Sequence, residues 1–315
     1  MSEKILVTPK SFRAYKNKAY AIMKEKGYEI IENPKGRTLT EKEIVDLAKR
    51  DVVGIIVGVD PLSASVLEQC KDLKAISKYG VGMDNIDLEK AKELGISVKN
   101  AAGANKVSVA ELAIGLMFTL SRHIFKCAGD VKNGSWERNI GFELTGKILG
   151  LVGGGQIGKE VAKRAIGLGM EVRVYDPFFN DEPFLKKYNI RLINDLNSLF
   201  SSSDVISLHV PVTKDTRNII NAASLGGMKP NAILINTSRG ELVDEEALYE
   251  ALANKRIAGA AQDVFSIEPP DKEERLLKLD NFILTPHTGA FTHEAVEKMV
   301  MVSTYNLLDM LYERK

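Results

Sequence analysis

Residues 148–176 carry the pattern that leaves this chain the fewest folds. Ile148-Leu149-Gly150-Leu151-Val152 is an apolar strand candidate, followed at once by Gly153-Gly154-Gly155-Gln156-Ile157-Gly158. Residues 159–168 then show helical periodicity, and a second apolar run, 172–175, ends at Asp176, 23 residues after Gly153. A glycine-rich hexamer alone indicates no more than a strand-to-helix turn. Strand, glycine turn, helix, strand and terminal acid in one unit make up the dinucleotide-binding fingerprint. The three glycines serve different ends. Gly153 allows the tight turn, Gly155 lets the backbone approach a pyrophosphate, and Gly158 lets helix and strand pack closely. The N–H groups of Gln156 and Ile157 open the helix and aim at the phosphates with the helix dipole behind them. Asp176 is spaced to accept hydrogen bonds from ribose hydroxyls and repels a 2′-phosphate. The residues after it, Pro177, Phe178 and Phe179, include no arginine to offset that repulsion. The pattern favours NAD over NADP.

The rest of the chain repeats the same alternation. Apolar runs at 4–8, 54–57, 74–77, 205–208, 232–235 and 282–284 are separated by helical stretches such as 41–50. Strands alternating with helices predict βαβ units and parallel sheets covered on both faces. The near-continuous apolar strands fit sheets buried on both sides. Ser108-Val109-Ala110-Glu111 reads as a capping box opening a helix that is apolar nearly all round through Phe125. That helix is expected to be buried between domains or subunits. Residues 292–312 form an amphipathic helix with Val296, Met299, Val300 and Leu307 on one face. With 315 residues, about two domains are expected. The expected crossings near residues 100–106 and after His287 make one domain discontinuous.

Charge and cysteine content narrow the function classes. Lys+Arg total 43 against 42 Asp+Glu, a net charge of +1, which gives no electrostatic case for nucleic acid or an anionic membrane. Two cysteines and four scattered histidines offer no metal-ligand spacing. The start of the chain lacks the apolar stretch of a signal peptide, and a reducing cytoplasm is the expected location.

Ligands of open α/β sheets bind beyond the carboxyl ends of the strands. In the second half, His209, Arg239, Asp263 and His287 each fall just after a strand, and Glu268 follows Asp263 by five residues. A cation, an acid and a histidine beside a nicotinamide suit hydride transfer to a 2-keto acid. His287 can give or take the proton, Glu268 can orient its ring, and Arg239 can clamp the substrate carboxylate bidentately. Spacing alone leaves other readings open: a surface histidine, a structural Arg–Glu ion pair, an Asp263 that caps a turn.

The motifs together, in order, resemble the D-isomer-specific 2-hydroxyacid dehydrogenase family, and within it most resemble the D-3-phosphoglycerate dehydrogenases. They include residues 78–87 (KYGVGMDNID), Ser108–Glu111 (SVAE), 134–138 (GSWER), the glycine loop with Tyr175-Asp176-Pro177, 236–240 (NTSRG), Asp263-Val264-Phe265 with Glu268-Pro269, and Pro286-His287 with Gly289-Ala290. The resemblance implies two Rossmann-like, flavodoxin-like doubly wound parallel-sheet α/β domains. Residues 1–101 with 288–315 would be the substrate domain and 102–287 the NAD-binding domain. It implies Arg239, Glu268 and His287 as the catalytic residues. Asp263 falls where an acid holds the nicotinamide carboxamide. His209, Val210, Pro211, Thr213, Thr237 and Gly289 fall in cofactor-binding stretches. Tyr79, Gly80, Val81 and Gly82 fall where backbone binds the substrate carboxylate, with Lys78 nearby. A homodimer or homotetramer is implied, with the helix after Ser108 in the dimer contact.

The resemblance further implies oxidation of D-3-phosphoglycerate to 3-phosphohydroxypyruvate in serine biosynthesis. Against that choice, Gly58-Val59-Asp60-Pro61 holds no arginine where some phosphoglycerate enzymes meet the phosphate, leaving Lys78 and Arg138 as phosphate partners. Phe291 also stands where many relatives have serine. The alternative is a glyoxylate or hydroxypyruvate reductase. A different class is an NAD(H)-sensing binding protein. The sequence ends at Lys315, so the serine-sensing C-terminal domain of longer phosphoglycerate dehydrogenases is not expected.

Overall fold

The structure is a computed structural model and describes residues 2–313. The chain forms two compact units, Met1–Asn105 with Ala290–Lys315, and Lys106–Gly289. The divisions lie beyond the expected 101 and 287, for local reasons. Ala104 N–H donates to the Ala101 carbonyl, and its side chain is buried among Val296 and Met299 of the first unit. Thr288 and Gly289 are bonded to Asp263 of the second.

The discontinuous unit begins β1 (Lys4–Val7), α1 (Lys16–Glu25), β2 (Glu29–Glu32), α2 (Glu41–Ala48), β3 (Val52–Val57), α3 (Ala64–Gln69), β4 (Ala75–Lys78), α4 (Leu88–Glu93) and β5 (Ser97–Asn100). Its five strands are parallel in the order β2-β1-β3-β4-β5. The order reverses at β1/β3, which is the switch point of such a sheet. α2 starts where Thr40 and Glu43 form a reciprocal capping box.

The continuous unit runs α5 (Lys106–Ser121), α6 (Ile124–Lys132), β6 (Ile148–Val152), α7 (Gln156–Gly167), β7 (Glu171–Tyr175), α8 (Glu182–Tyr188), β8 (Arg191–Leu192), α9 (Leu196–Ser202), β9 (Val205–Leu208), α10 (Ala222–Gly227), β10 (Ile233–Asn236), α11 (Glu245–Ala253), β11 (Gly259–Gln262) and β12 (Phe282–Leu284). Its seven parallel strands lie in the order β12-β11-β10-β9-β6-β7-β8, with the switch point between β6 and β9. Buried apolar side chains form a layer on each face of this sheet: Phe200, Leu208, Leu234 and Leu248 in one, Met117, Leu149, Val161 and Ile235 in the other.

The chain then returns to the first unit as α12 (His293–Tyr312), capped by Thr292. Val300, Leu307 and Met310 of α12 cover Ile5, Val53 and Ile56.

Two local expectations are corrected. Ser108 is not a capping residue: α5 begins at Lys106, so Ser108 lies within its first turn and its hydroxyl donates to the Gly289 carbonyl at 2.6 Å. Glu111 pairs with Arg164 of α7 at 2.9 Å instead of reaching back to Ser108. The apolar helix also does not run unbroken to Phe125. His123 adopts a left-handed conformation (φ 50°), α6 turns away by 63°, and Ile124, Phe125, Trp136 and Ile140 are exposed. Among the described residues no single helix is long and apolar enough to cross a membrane.

Candidate functional site

All strands of the continuous unit are parallel, so β6, β9, β10, β11 and β12 end on one edge of its sheet. That geometry brings the glycine loop, His209, Arg239, Asp263 and His287 to a single edge.

The glycine loop is shaped by close approach. Gly153 has φ 103°, and a Cβ there would lie 2.5 Å from the His209 carbonyl oxygen. A Cβ on Gly158 would lie 2.2 Å from the Gly153 oxygen, so the first turn of α7 rests directly on the loop backbone. At Gly155, by contrast, a Cβ would meet no protein atom within 4 Å. Gly155 caps α7, so the open space beside it lies at the N-terminus of that helix, where a phosphate cradle is expected. The Asp176 carboxylate accepts from Gly154 N–H and Phe178 N–H, both at 2.9 Å, which fixes it beside the loop. These residues fit a dinucleotide.

His209 sits at the end of β9 with Nε2 2.9 Å from the Ser207 hydroxyl and Nδ1 buried without a protein partner. Burial pushes its pKa down to about 4, so the ring is neutral at neutral pH. Val210 packs at the margin of the core, Pro211 accepts from Thr216, and Thr213 bonds Thr216 through its N–H at 2.7 Å. The Thr237 hydroxyl is buried and has no protein partner.

His287 and Glu268 meet: Nδ1 lies 2.8 Å from Oε2. The other Glu268 oxygen accepts from Phe265 N–H at 3.0 Å. Burial pushes the Glu268 carboxyl up, but the bond from His287, the Phe265 N–H and the charges of His287 and Arg239 outweigh it and hold it below the usual carboxylate range. The carboxylate acceptor makes Nδ1 the donor and leaves Nε2 for chemistry. Arg239 is anchored by its backbone: Asn236 Nδ2 donates to the Arg239 carbonyl, and Gly240 lies against the Phe265–Ser266 backbone too closely for a Cβ. Asp263, 1% exposed, turns away from solvent. It accepts from Thr285 Oγ1, Thr288 N–H, Thr288 Oγ1 and Gly289 N–H. Sequence reasoning missed Thr285 and Thr288. The signal was a hydroxyl on either side of Pro286-His287.

In the discontinuous unit, Gly80 has φ 123° and turns the chain beyond β4, and Asn100 Nδ2 holds the Val81 carbonyl at 2.7 Å. Val81 is exposed and Gly82 half-buried, whereas Tyr79 is held by Ser11. Lys78 departs from the expectation that it meets substrate phosphate. Its amine is buried, donating to the Gly58 carbonyl and to Asn85 Oδ1, the latter at 2.6 Å. Asn85 Nδ2 in turn donates to the Gly58 and Asp60 carbonyls. Asp60, also buried, accepts from Thr8 and from Leu39 N–H. Lys78 thus ties strand ends together from inside. Arg138 is exposed on the segment after α6, and no described contact joins it to the His287 cluster.

Comparison with known proteins supplies the context for this geometry. Residues 114–289 match the family described as "D-isomer specific 2-hydroxyacid dehydrogenase, NAD binding domain". That match identifies the continuous unit as an NAD-binding domain. A hydroxypyruvate reductase of Thermotoga maritima is 45% identical over 83% of this chain and 85% of its own length. A D-3-phosphoglycerate dehydrogenase of Methanocaldococcus jannaschii is 45% identical over 82% of this chain, which spans only about half (49%) of that longer protein. The crystal structure of the TT0316 protein from Thermus thermophilus superposes with TM-score 0.88 at 35% identity, covering 99% of this chain and 98% of that one.

Proposed function

The chain belongs to the D-isomer-specific 2-hydroxyacid dehydrogenase family, NAD-dependent oxidoreductases acting on 2-hydroxy acids, and from that premise we propose that it interconverts a small D-2-hydroxy acid and its 2-keto acid. The observation that carries this reading is the 2.8 Å His287–Glu268 pair at the carboxyl end of β12, with Arg239 close enough to act on Glu268 electrostatically. NADH, when bound, supplies the hydride. His287 Nε2 gives a proton to the carbonyl oxygen during reduction and takes it back during oxidation. Glu268 holds the ring in the required tautomer and stabilises the imidazolium. Arg239 binds the substrate carboxylate as a planar fork.

For the substrate we favour an unphosphorylated acid such as hydroxypyruvate or glyoxylate. The inward Lys78 amine and the absence of arginine from 58–61 support that choice. Oxidation of 3-phosphoglycerate is the second reading, supported by similarity to the phosphoglycerate dehydrogenases and by exposed Arg138. NADH absorbance followed with hydroxypyruvate, glyoxylate, pyruvate and 3-phosphohydroxypyruvate separates the two. His287→Ala is expected to cut kcat by about 10²–10⁴-fold and leave the NADH Kd unchanged. Equal loss of turnover and binding makes His287 structural. NADH binding without turnover of any acid favours a sensor.

Exposed Ile124, Phe125, Trp136 and Ile140 support a further reading, that the chain self-associates through the α6 arm. A sedimentation mass of one chain rejects it.

A further inference from the structure

The loop that carries Glu268 leaves β11 and comes to the surface, where Ser266, Ile267 and Glu268 are exposed. Exposed loop backbone is mobile unless something ties it down, yet Glu268 must meet His287 at 2.8 Å. The Phe265 side chain is buried in the core and fixes one end of the loop. The next peptide group is gripped twice. A Cβ on Gly240 would lie 2.1 Å from the Phe265 carbonyl carbon and 2.2 Å from the Ser266 nitrogen, so the turn after Arg239 rests directly on the Phe265–Ser266 peptide. The second grip is Glu245, the first residue of α11. Its Oε1 accepts from Ser266 N–H at 2.8 Å and its Oε2 from the Ser266 hydroxyl at 2.7 Å. The neighbouring N–H, that of Phe265, is the one that donates to Glu268 Oε1 at 3.0 Å. A glutamate in the first turn of a helix is ordinarily accounted for by the helix dipole. This one gives both oxygens to another segment. Burial and the charges of Glu274 and Glu241 raise its carboxyl above the usual range in spite of the two Ser266 bonds, so stability alone does not account for a carboxylate here.

We propose that Glu245 is a positioning residue for Glu268: by holding Ser266 through both oxygens it keeps the Phe265–Ser266 peptide against Gly240, and so sets the N–H that aims the Glu268 carboxylate at His287. Glu245 acts through Ser266 and Phe265, not on the transferred proton. Glutamine can stand in for it. Its carbonyl accepts from Ser266 N–H, and its NH₂ donates to the Ser266 hydroxyl oxygen, which changes from donor to acceptor. Alanine makes neither bond.

The proposal rests on the hydride-transfer reading for its activity arm, so the test has a second arm that needs no turnover. A misplacement of about 1 Å in a catalytic group costs about 10²-fold in rate. Glu245→Ala is therefore expected to lose about 10–10²-fold in kcat with an NADH Kd within about twofold of the parent, and Glu245→Gln to stay within about threefold in both. The ring-nitrogen NMR spectrum of His287 in alkaline buffer provides the second arm. The parent and Glu245→Gln are expected to show the tautomer protonated at Nδ1, and Glu245→Ala a mixture of both tautomers. An NADH Kd near the parent's certifies that each variant is folded. Should Glu245→Ala fail to fold, Ser266→Ala removes the hydroxyl bond alone and is expected to lose about 3–10-fold in kcat and to show part of the same mixture. If Glu245→Ala keeps the parent's kcat and tautomer, the buried Phe265 holds the loop unaided and the proposal falls; a Ser266→Ala that behaves as the parent overturns it as well. It falls equally if Glu245→Gln loses as much as Glu245→Ala, since the Ser266 bonds are then not the cause. Loss of NADH affinity by about tenfold or more in step with kcat makes Glu245 a structural support of the dinucleotide site instead. If the parent turns over no 2-keto acid, the activity reading falls alone, and the tautomer still decides whether Glu245 sets Glu268.

Discussion

His209 shows how one side chain at the sheet edge ties stability to pH. Its pKa drops from 6.5 to about 4 in the folded chain because burial disfavours the imidazolium. The unfolded chain therefore binds the extra proton first as pH falls. Above pH 6.5 both states are neutral here and the residue makes no pH-dependent contribution. Between 6.5 and 4 the unfolded state gains protons that the folded state refuses, so stability declines, by an amount on the order of 3 kcal/mol once the folded pKa is passed. His209→Gln is expected to flatten that part of the stability curve, as read from urea unfolding at pH 7, 5.5 and 4.5. An identical slope in parent and variant rejects the burial argument. At this scale the sequence disclosed more about types than about partners. The sequence pointed to His287 and Arg239 because each follows a strand, and to Glu268 because it lies five residues past Asp263. The commitments of Asp263 and Lys78 were not legible, since a sequence does not say whether a carboxylate or an amine turns toward solvent or back into its own backbone.

The β6–α7 turn separates what a glycine does for the fold from what it does for a ligand. A methyl on Gly158 would lie 2.2 Å from the Gly153 oxygen and must push α7 off the loop. Overpacking of that kind costs about 1–3 kcal/mol or more. Gly158→Ala is expected to lower Tm and to weaken NADH together. A methyl on Gly155 meets no protein atom within 4 Å, and the residue already has an ordinary φ of −66°. Gly155→Ala is expected to keep the parent Tm within about a degree and still weaken NADH, because the methyl enters the space kept for the pyrophosphate. Calorimetry beside NADH fluorescence titration checks both, and equal NADH affinity in Gly155→Ala and parent refutes the cradle. The same contrast between packed and open surroundings explains which elements the sequence disclosed. β3, β6, β9 and β10 are buried throughout, or nearly so, and read as apolar runs. Of the four edge strands, β2, β5 and β8 are partly or fully exposed, mix polar with apolar residues, and left no run to read, whereas the edge strand β12 is wholly apolar and was read. The break at His123 was hidden because apolar residues resume at once with Ile124-Phe125 after Ser121-Arg122-His123, with neither glycine nor proline to mark the turn.

At the scale of the whole chain, the two units are unequally self-sufficient. The continuous unit draws both apolar layers of its seven-stranded sheet from residues 106–289 alone. The discontinuous unit takes one face of its sheet from α12, which arrives from the far end of the sequence. A Cβ on Gly54 of β3 would touch the Leu307 methyls at 3.1 Å, so the missing side chain on the strand is the seat for the leucine on the helix. Leu307 is fully buried, and Leu307→Ala is expected to cost about 2–5 kcal/mol, confined to this unit. A chain stopped after Gly289 should fare worse: β3 and β4 lose their cover while every residue assigned to the dinucleotide remains. Two calorimetric transitions are expected for the parent, with Leu307→Ala lowering one of them. The truncated chain should lose that same transition and keep its NADH affinity. NADH binding that disappears with residues 290–315 would mean that the continuous unit does not hold its fold by itself, and the assignment of independent cores to the two units would fail.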